Sequence, residues 1–137
     1  MGQVQKLGRI LIIFTLLKKI GMSLYKELAG YLLPEGVLDY FELTEVKKEG
    51  EGLHIYLEEK DEIPEEYKSE PYRSNGFMQE RKIRDFPIRD YLVTLHVKRR
   101  RWLLTTSGKK IKRDWNIIAP GTGMTKDLAA FLKEITG

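Results

Sequence analysis

An α+β domain is what this sequence predicts, and three observations predict it. Apolar residues recur at helical spacing after Ser23 and again after Thr125, towards the two ends of the chain. Between them lie runs of two-residue alternation, the mark of half-buried strands. Turn residues separate those runs closely enough for hairpins, so the strands should form a mostly antiparallel sheet of four to six. The 137 residues suffice for one domain with its own core.

Residues 1–21 read as an N-terminal extension and 22–137 as a single α+β domain. The extension is either an amphiphilic helix packed on the body or a stretch upstream of a true start at Met22. Ser23 is a good N-cap, and Leu24, Leu28, Tyr31 and Leu32 share one helical face. Pro34-Glu35-Gly36 stops that helix and turns the chain. Leu38 to Lys48 and Leu53 to Glu59 then read as strands joined through Glu49-Gly50-Glu51-Gly52. In the second of them Leu53, Ile55 and Leu57 point inward, and His54, Tyr56 and Glu58 outward.

The 28 residues from 60 to 87 are irregular. Pro64, Pro71, Pro87 and Ser74-Asn75-Gly76 predict an extended connection with at most a short strand. A strand resumes at Tyr91, with Tyr91, Val93, Leu95 and Val97 on one face and Thr94, His96, Lys98 and Arg100 on the other. Arg99 and Arg101 come next on the apolar face, and burying two unpaired guanidiniums is prohibitive. The strand must therefore bulge, twist out of the sheet or outrun the core by Arg99, and project a cluster of arginines. Thr105-Thr106-Ser107-Gly108 reads as a turn and Lys109 to Ile118 as the return strand. Pro120-Gly121-Thr122-Gly123 ends the sheet. Thr125 caps a last helix carrying Leu128, Phe131, Leu132 and Ile135 on one face and closed by Gly137.

Charge is sorted along the chain. Residues 22–70 hold 5 Lys/Arg against 14 Asp/Glu, whereas residues 71–114 hold 13 against 4. The densest basic run is Lys98, Arg99, Arg100, Arg101, Lys109, Lys110, Lys112 and Arg113, with Trp102 and Trp115 each just past one end of it. Such a field attracts polyanions, nucleic acid first among them. In this reading the cations contact phosphates, and Trp102 packs beneath them or stacks on a base. Arg84 and Arg89 are secondary candidates. The alternative is that both tryptophans are core and the cations a solvated rim.

Other chemistries find little support. The chain has no cysteine, which excludes disulfides and thiolate sites and fits a cytoplasmic protein. Its longest apolar run, Ile10 to Leu17, is far short of the roughly 18–20 residues of a membrane span. Lys18 and Lys19 follow directly, with no small-residue cleavage site before Met22. The acidic stretch from Glu58 to Glu66 lacks the calcium-loop pattern and reads as a solvated face. His54 and His96 lie far apart in sequence, without a Ser or Cys partner, and read as structural or surface residues. Gly121-Thr122-Gly123-Met124-Thr125-Lys126 lacks Walker spacing and reads as a turn and helix cap. No metal or cofactor is expected.

From Leu32 to the end the chain resembles the N-terminal region of bacterial insertion-sequence transposases of the Aon type. The stretches that carry it are LLPEGVLDYFELTEV, LHIYLEEKDEIPEEY, IRDFPIRDYLVTLHVKRRRW and RDWNIIAPGTGMTKDLAAFLKEI. It is more loosely similar to ISL-type transposases, whose N-terminal zinc ribbon places a proline turn before a strand and a basic-aromatic step. Asp85-Phe86-Pro87 matches the turn and Arg100-Arg101-Trp102 the step, but Leu104 stands where a first zinc-binding cysteine belongs. Packing by Ile111, Trp115 and Ile117 would have to replace the metal. The resemblance implies a non-catalytic segment that recognises the inverted repeats at transposon ends, beside a separately encoded transposase catalytic protein. The rivals are a protein-interaction module that docks such a partner through its acidic half, and a general RNA-binding β domain.

Overall fold

The computed structural model describes residues 2–116 and 122–136. The chain forms two compact units, Met1–Glu35 and Gly36–Gly137.

The first unit is one α-helix, α1 (Gly2–Leu32). It runs unbroken through Ser23, which is an interior residue and not a cap. The reason is in the sequence: Ile20, Leu24, Leu28 and Tyr31 keep one helical phase across Met22-Ser23. The apolar side chains of α1 from Leu7 to Leu32 are exposed. Arg9, Lys18 and Lys19 interrupt them, and no helix among the described residues is long and apolar enough to cross a membrane.

The second unit confirms the α+β class and distributes its strands differently. Gly36, at a left-handed φ of 79°, turns the chain into a short helix α2 (Val37–Tyr40), so the first strand begins at Phe41 and not at Leu38. β1 (Phe41–Glu49) and β2 (Gly52–Glu59) form the expected hairpin. Gly50 (φ 59°) takes the first central position of its two-residue turn. The irregular stretch holds two strands, β3 (Tyr72–Phe77) and β4 (Arg81–Ile88), after a 3-10 turn at Glu65–Tyr67. Pro87 is accommodated within a strand, contrary to the expectation from sequence, because β4 is an edge strand whose pairing shifts register between Asp85 and Ile88, where a missing N–H costs nothing. Then follow β5 (Tyr91–Lys98), β6 (Arg100–Leu104), β7 (Lys110–Ile111) and α3 (Lys126–Thr136). The return strand, expected from Lys109 to Ile118, is two residues long: Lys109 and residues 112–116 are not strand, and Ile117, Ile118 and Pro120-Gly121 lie outside the described residues, as does Gly137.

These seven strands make two sheets, one of order β1-β2-β5-β4 and one of order β3-β6-β7. All pairings are antiparallel except β2 with β5, which run parallel from Gly52↔Leu92 to Glu58↔Lys98. Ile55, Leu57, Ile83, Val93, Leu95 and Val97 line the inner face of the four-stranded sheet and are buried. The smaller sheet closes over Ile63, Trp102, Leu104 and Ile111, with Tyr67 against them.

α3 is fixed by a buried polar contact. Residues 123–125 cover the free edge of β4, with Arg84 N–H donating to Gly123 O at 2.9 Å and Thr125 N–H to Arg84 O at 2.9 Å. Thr125 is the N-cap that the sequence predicts: its Oγ1 accepts from Leu128 N–H at 3.4 Å and donates to the buried Asp85 Oδ1 at 2.8 Å. Phe131 meets Phe86 at 5.6 Å between ring centroids. Thr125→Ala should remove the cap and strand a buried carboxylate, costing about 1–3 kcal/mol in urea unfolding. Thr125→Ser should restore most of that loss.

Candidate nucleic-acid interface

The site begins where strand alternation fails. β5 ends at Lys98, Arg99 stands outside any strand, and Arg100 opens β6 in the other sheet. The chain thus leaves one sheet for the next at the residue where continuation would have buried a guanidinium. Arg99 O accepts from Met78 N–H at 2.7 Å, which anchors the crossing to the start of the neighbouring connection.

The arginines around this crossing divide into two groups. Arg99, Arg100 and Arg113 turn inward. Glu59, at the end of β2 and 2% exposed, is their hub. Its Oε1 accepts from Arg100 N–H at 2.9 Å, its backbone oxygen from Arg100 Nε at 2.8 Å, and its Oε2 from Arg113 Nε at 3.3 Å. Arg100 also lies over the Phe77 ring at 4.4 Å, and Arg113 over Tyr40 at 4.3 Å. Arg113 Nη2 donates to Glu62 O at 2.6 Å, and Arg99 Nη2 donates to Arg113 O. These three side chains hold the fold together and are poorly placed to meet phosphate. Burial pushes the Glu59 carboxyl above the ordinary carboxylate range, against the lowering pull of the Arg100 N–H and of Arg113 and Arg99.

Trp102 is fully buried. Its Nε1–H donates to Asp61 Oδ1 at 2.8 Å, so it packs beneath the sheet and offers no face to a base. Trp115 sits edge-on to Tyr40 and Phe41, at 5.6 and 5.0 Å. Of the residues that would stand in for a zinc clip, Ile111 packs in the Trp102 cluster, Trp115 packs elsewhere, and Ile117 lies outside the described residues.

The second group faces outward. In the three-stranded sheet Trp102 pairs with Ser74 and Ile111 on the buried face, which puts Arg101 and Leu103 on the opposite one. Leu103 pairs with Arg73 on one side and Lys110 on the other. Arg73, Arg101 and Lys110 therefore share one outward face. All three are exposed, and none has a side-chain partner among the described residues. Lys112, also exposed, follows two residues after Lys110. The row Arg73–Leu103–Lys110 spans two inter-strand gaps, about 10 Å.

The remaining predicted cations are scattered. Lys109, exposed and just before β7, lies with its Nζ 5.8 Å from the Tyr67 ring. Lys98 is 3.8 Å from Glu58 on the outer face of the larger sheet. Arg84 is exposed on that same sheet, and Arg89 occupies the β4–β5 turn at a φ of 57°, rare for a side-chain-bearing residue. Sequence reasoning passed over Arg73, because its membership of the basic face depends on β3, a strand hidden among prolines.

Parallel pairing also joins the two histidines. His54 Nδ1 and His96 Nε2 lie 2.8 Å apart, so one ring donates a proton to the other. His96 Nδ1 is 3.4 Å from Glu80 Oε2, and its ring stacks on Tyr56 at 4.3 Å. Among the described residues no group of three or more His, Asp or Glu is arranged to hold a metal ion.

Glu59→Ala should leave the Arg100 and Arg113 contacts without their acceptor and cost about 3–5 kcal/mol in denaturant unfolding. The folded state holds Glu59 above its unfolded pKa, so folding favours protonation of this side chain relative to the unfolded chain. Its contribution to stability is full below the unfolded value and is lost as pH rises through the folded one. Glu59→Gln should therefore cost less than the alanine variant and flatten the fall in stability from acid to neutral pH. Comparison of the chain with family models, with curated proteins and with solved structures finds no match.

Proposed function

We propose that this protein binds duplex DNA through the outward face of the β3-β6-β7 sheet, as the non-catalytic segment of a transposase system. The observation that supports it best is the set of exposed cations, Arg73, Arg101 and Lys110 with Lys112 beside them, that no carboxylate of the described chain neutralises. A cation already held by a carboxylate gains little from a phosphate, whereas these four are free to displace counterions.

Geometry favours a duplex over a single strand. Single-strand binders stack bases on exposed aromatic rings. Here Arg73, Arg101, Leu103 and Lys110 make up the face, and the aromatic residues of these strands, Trp102, Phe77 and the exposed Tyr72, belong to its underside. A row about 10 Å across fits within the major groove of B-form DNA, about 12 Å wide. The major groove of A-form RNA is too deep and narrow for the same approach. That the DNA is a transposon end and the partner a separately encoded catalytic chain is a proposal resting on the sequence resemblance alone.

If four cations meet phosphates, log affinity should fall against log salt with a slope of about −3.6. Arg101→Ala with Lys110→Ala should make that slope shallower by about 2 and leave the unfolding midpoint nearly unchanged. Fluorescence anisotropy with a labelled duplex measures both. Absence of binding at low salt, or a slope indifferent to these substitutions, refutes the proposal. Tighter binding to structured RNA than to duplex DNA would favour the RNA alternative.

A further inference from the structure

We infer that β1 is a docking edge for a second copy of this chain, joined antiparallel through the same strand about a two-fold axis at Val46. β1 is a terminal strand of the four-stranded sheet. Its residues 42–49 are exposed, and its outer edge has no backbone partner among the described residues. The opposite edge is treated differently, since residues 123–125 cover β4. An open nine-residue edge is a template for pairing unless something opposes it.

Backbone geometry places the free groups. Glu49 and Gly52 flank a two-residue turn and face each other across the hairpin. Residues flanking such a turn exchange hydrogen bonds, and the exchange recurs at every second position. The N–H and C=O of Lys48 and Val46 therefore point away from β2, towards the open edge.

Side chains then select both partner and register. Val46 is 53% exposed and Leu43 42%, apolar residues on the face that is core elsewhere in the sheet. With Val46 opposite its own copy, Glu45 of each chain faces Lys47 of the other. Within one chain these two already sit 3.4 Å apart, so pairing builds an alternating square of four charges. Centring the axis on Glu45 would set two carboxylates opposite each other, and centring it on Lys47 two ammonium groups. Lysine on an edge commonly blocks pairing. Here each Lys47 carries its matching Glu45, and the strand is complementary to itself.

The test is the mass of the full-length chain by sedimentation equilibrium over a range of concentrations, with circular dichroism to confirm folding. The wild type should show a reversible monomer–dimer equilibrium. Lys47→Glu should weaken it about tenfold, because both symmetric pairs become repulsive. Glu45→Lys combined with Lys47→Glu should recover it, since the swap restores the match. Val46→Pro removes an N–H that faces the open edge, where proline is tolerated, and should give a folded monomer. A wild type monomeric at every concentration overturns the proposal. So does a dimer whose strength is the same in Lys47→Glu and Val46→Pro, since that places the contact on another surface. DNA binding enters none of these measurements, so the two proposals stand or fall apart.

Discussion

One buried carboxylate joins the two halves of the second unit. Glu59 ends β2, and from there it receives the first N–H of β6 and the side chain of Arg113 beyond β7. The four-stranded sheet, the three-stranded sheet and the segment after them all meet at this side chain. Sequence order alone would leave them loosely related, because β5 hands over to β6 through a single residue, Arg99. The hub turns that handover into a fixed angle. Its cost is the desolvation of a carboxylate, offset by hydrogen bonds that each come from a different element.

The same hub explains how the basic run is apportioned. A cluster of consecutive arginines looks uniform in one dimension, but a strand sends neighbours to opposite faces. Arg100 goes under the smaller sheet to Glu59 and Phe77, and Arg101 goes over it to solvent. The acidic half of the chain thereby neutralises part of the basic half from within. The outward remainder, with Arg73 brought in from β3, is a smaller and better-defined cationic face than the sequence count implies.

Much of this was legible in the residues. The α+β class, the β1–β2 hairpin, the alternation of β5, the break at Arg99 and the Thr125 cap all follow from local periodicity and turn chemistry. What was not legible depended on partners distant in sequence. Pro87 argues against a strand until β4 is known to be an edge. Ser23 suggests a helix start until the apolar phase on both sides of it is compared. Whether Trp102 faces a base or the core is decided chiefly by Ile63, in the connection after β2, and by Ile111 of β7, which join Leu104 of its own strand around it. The His54–His96 contact could not be foreseen from residues 42 positions apart, since it exists only because β2 and β5 run parallel.

That parallel pairing has a further consequence, in the order of assembly. β2 is complete by Glu59, yet its neighbour β5 starts only at Tyr91, with β3 and β4 in between. Closing so long a loop must precede any reward from the contacts it makes, which makes this step slow relative to the local hairpins. A chain emerging from the ribosome therefore holds a finished β1–β2 hairpin, both edges open, until some forty residues more have been added. During that interval Glu59 lacks its partners Arg100 and Arg113, and the hairpin's inner apolar residues have no sheet to cover. For this hairpin the period of greatest exposure is the interval between the completion of β2 and the arrival of β5.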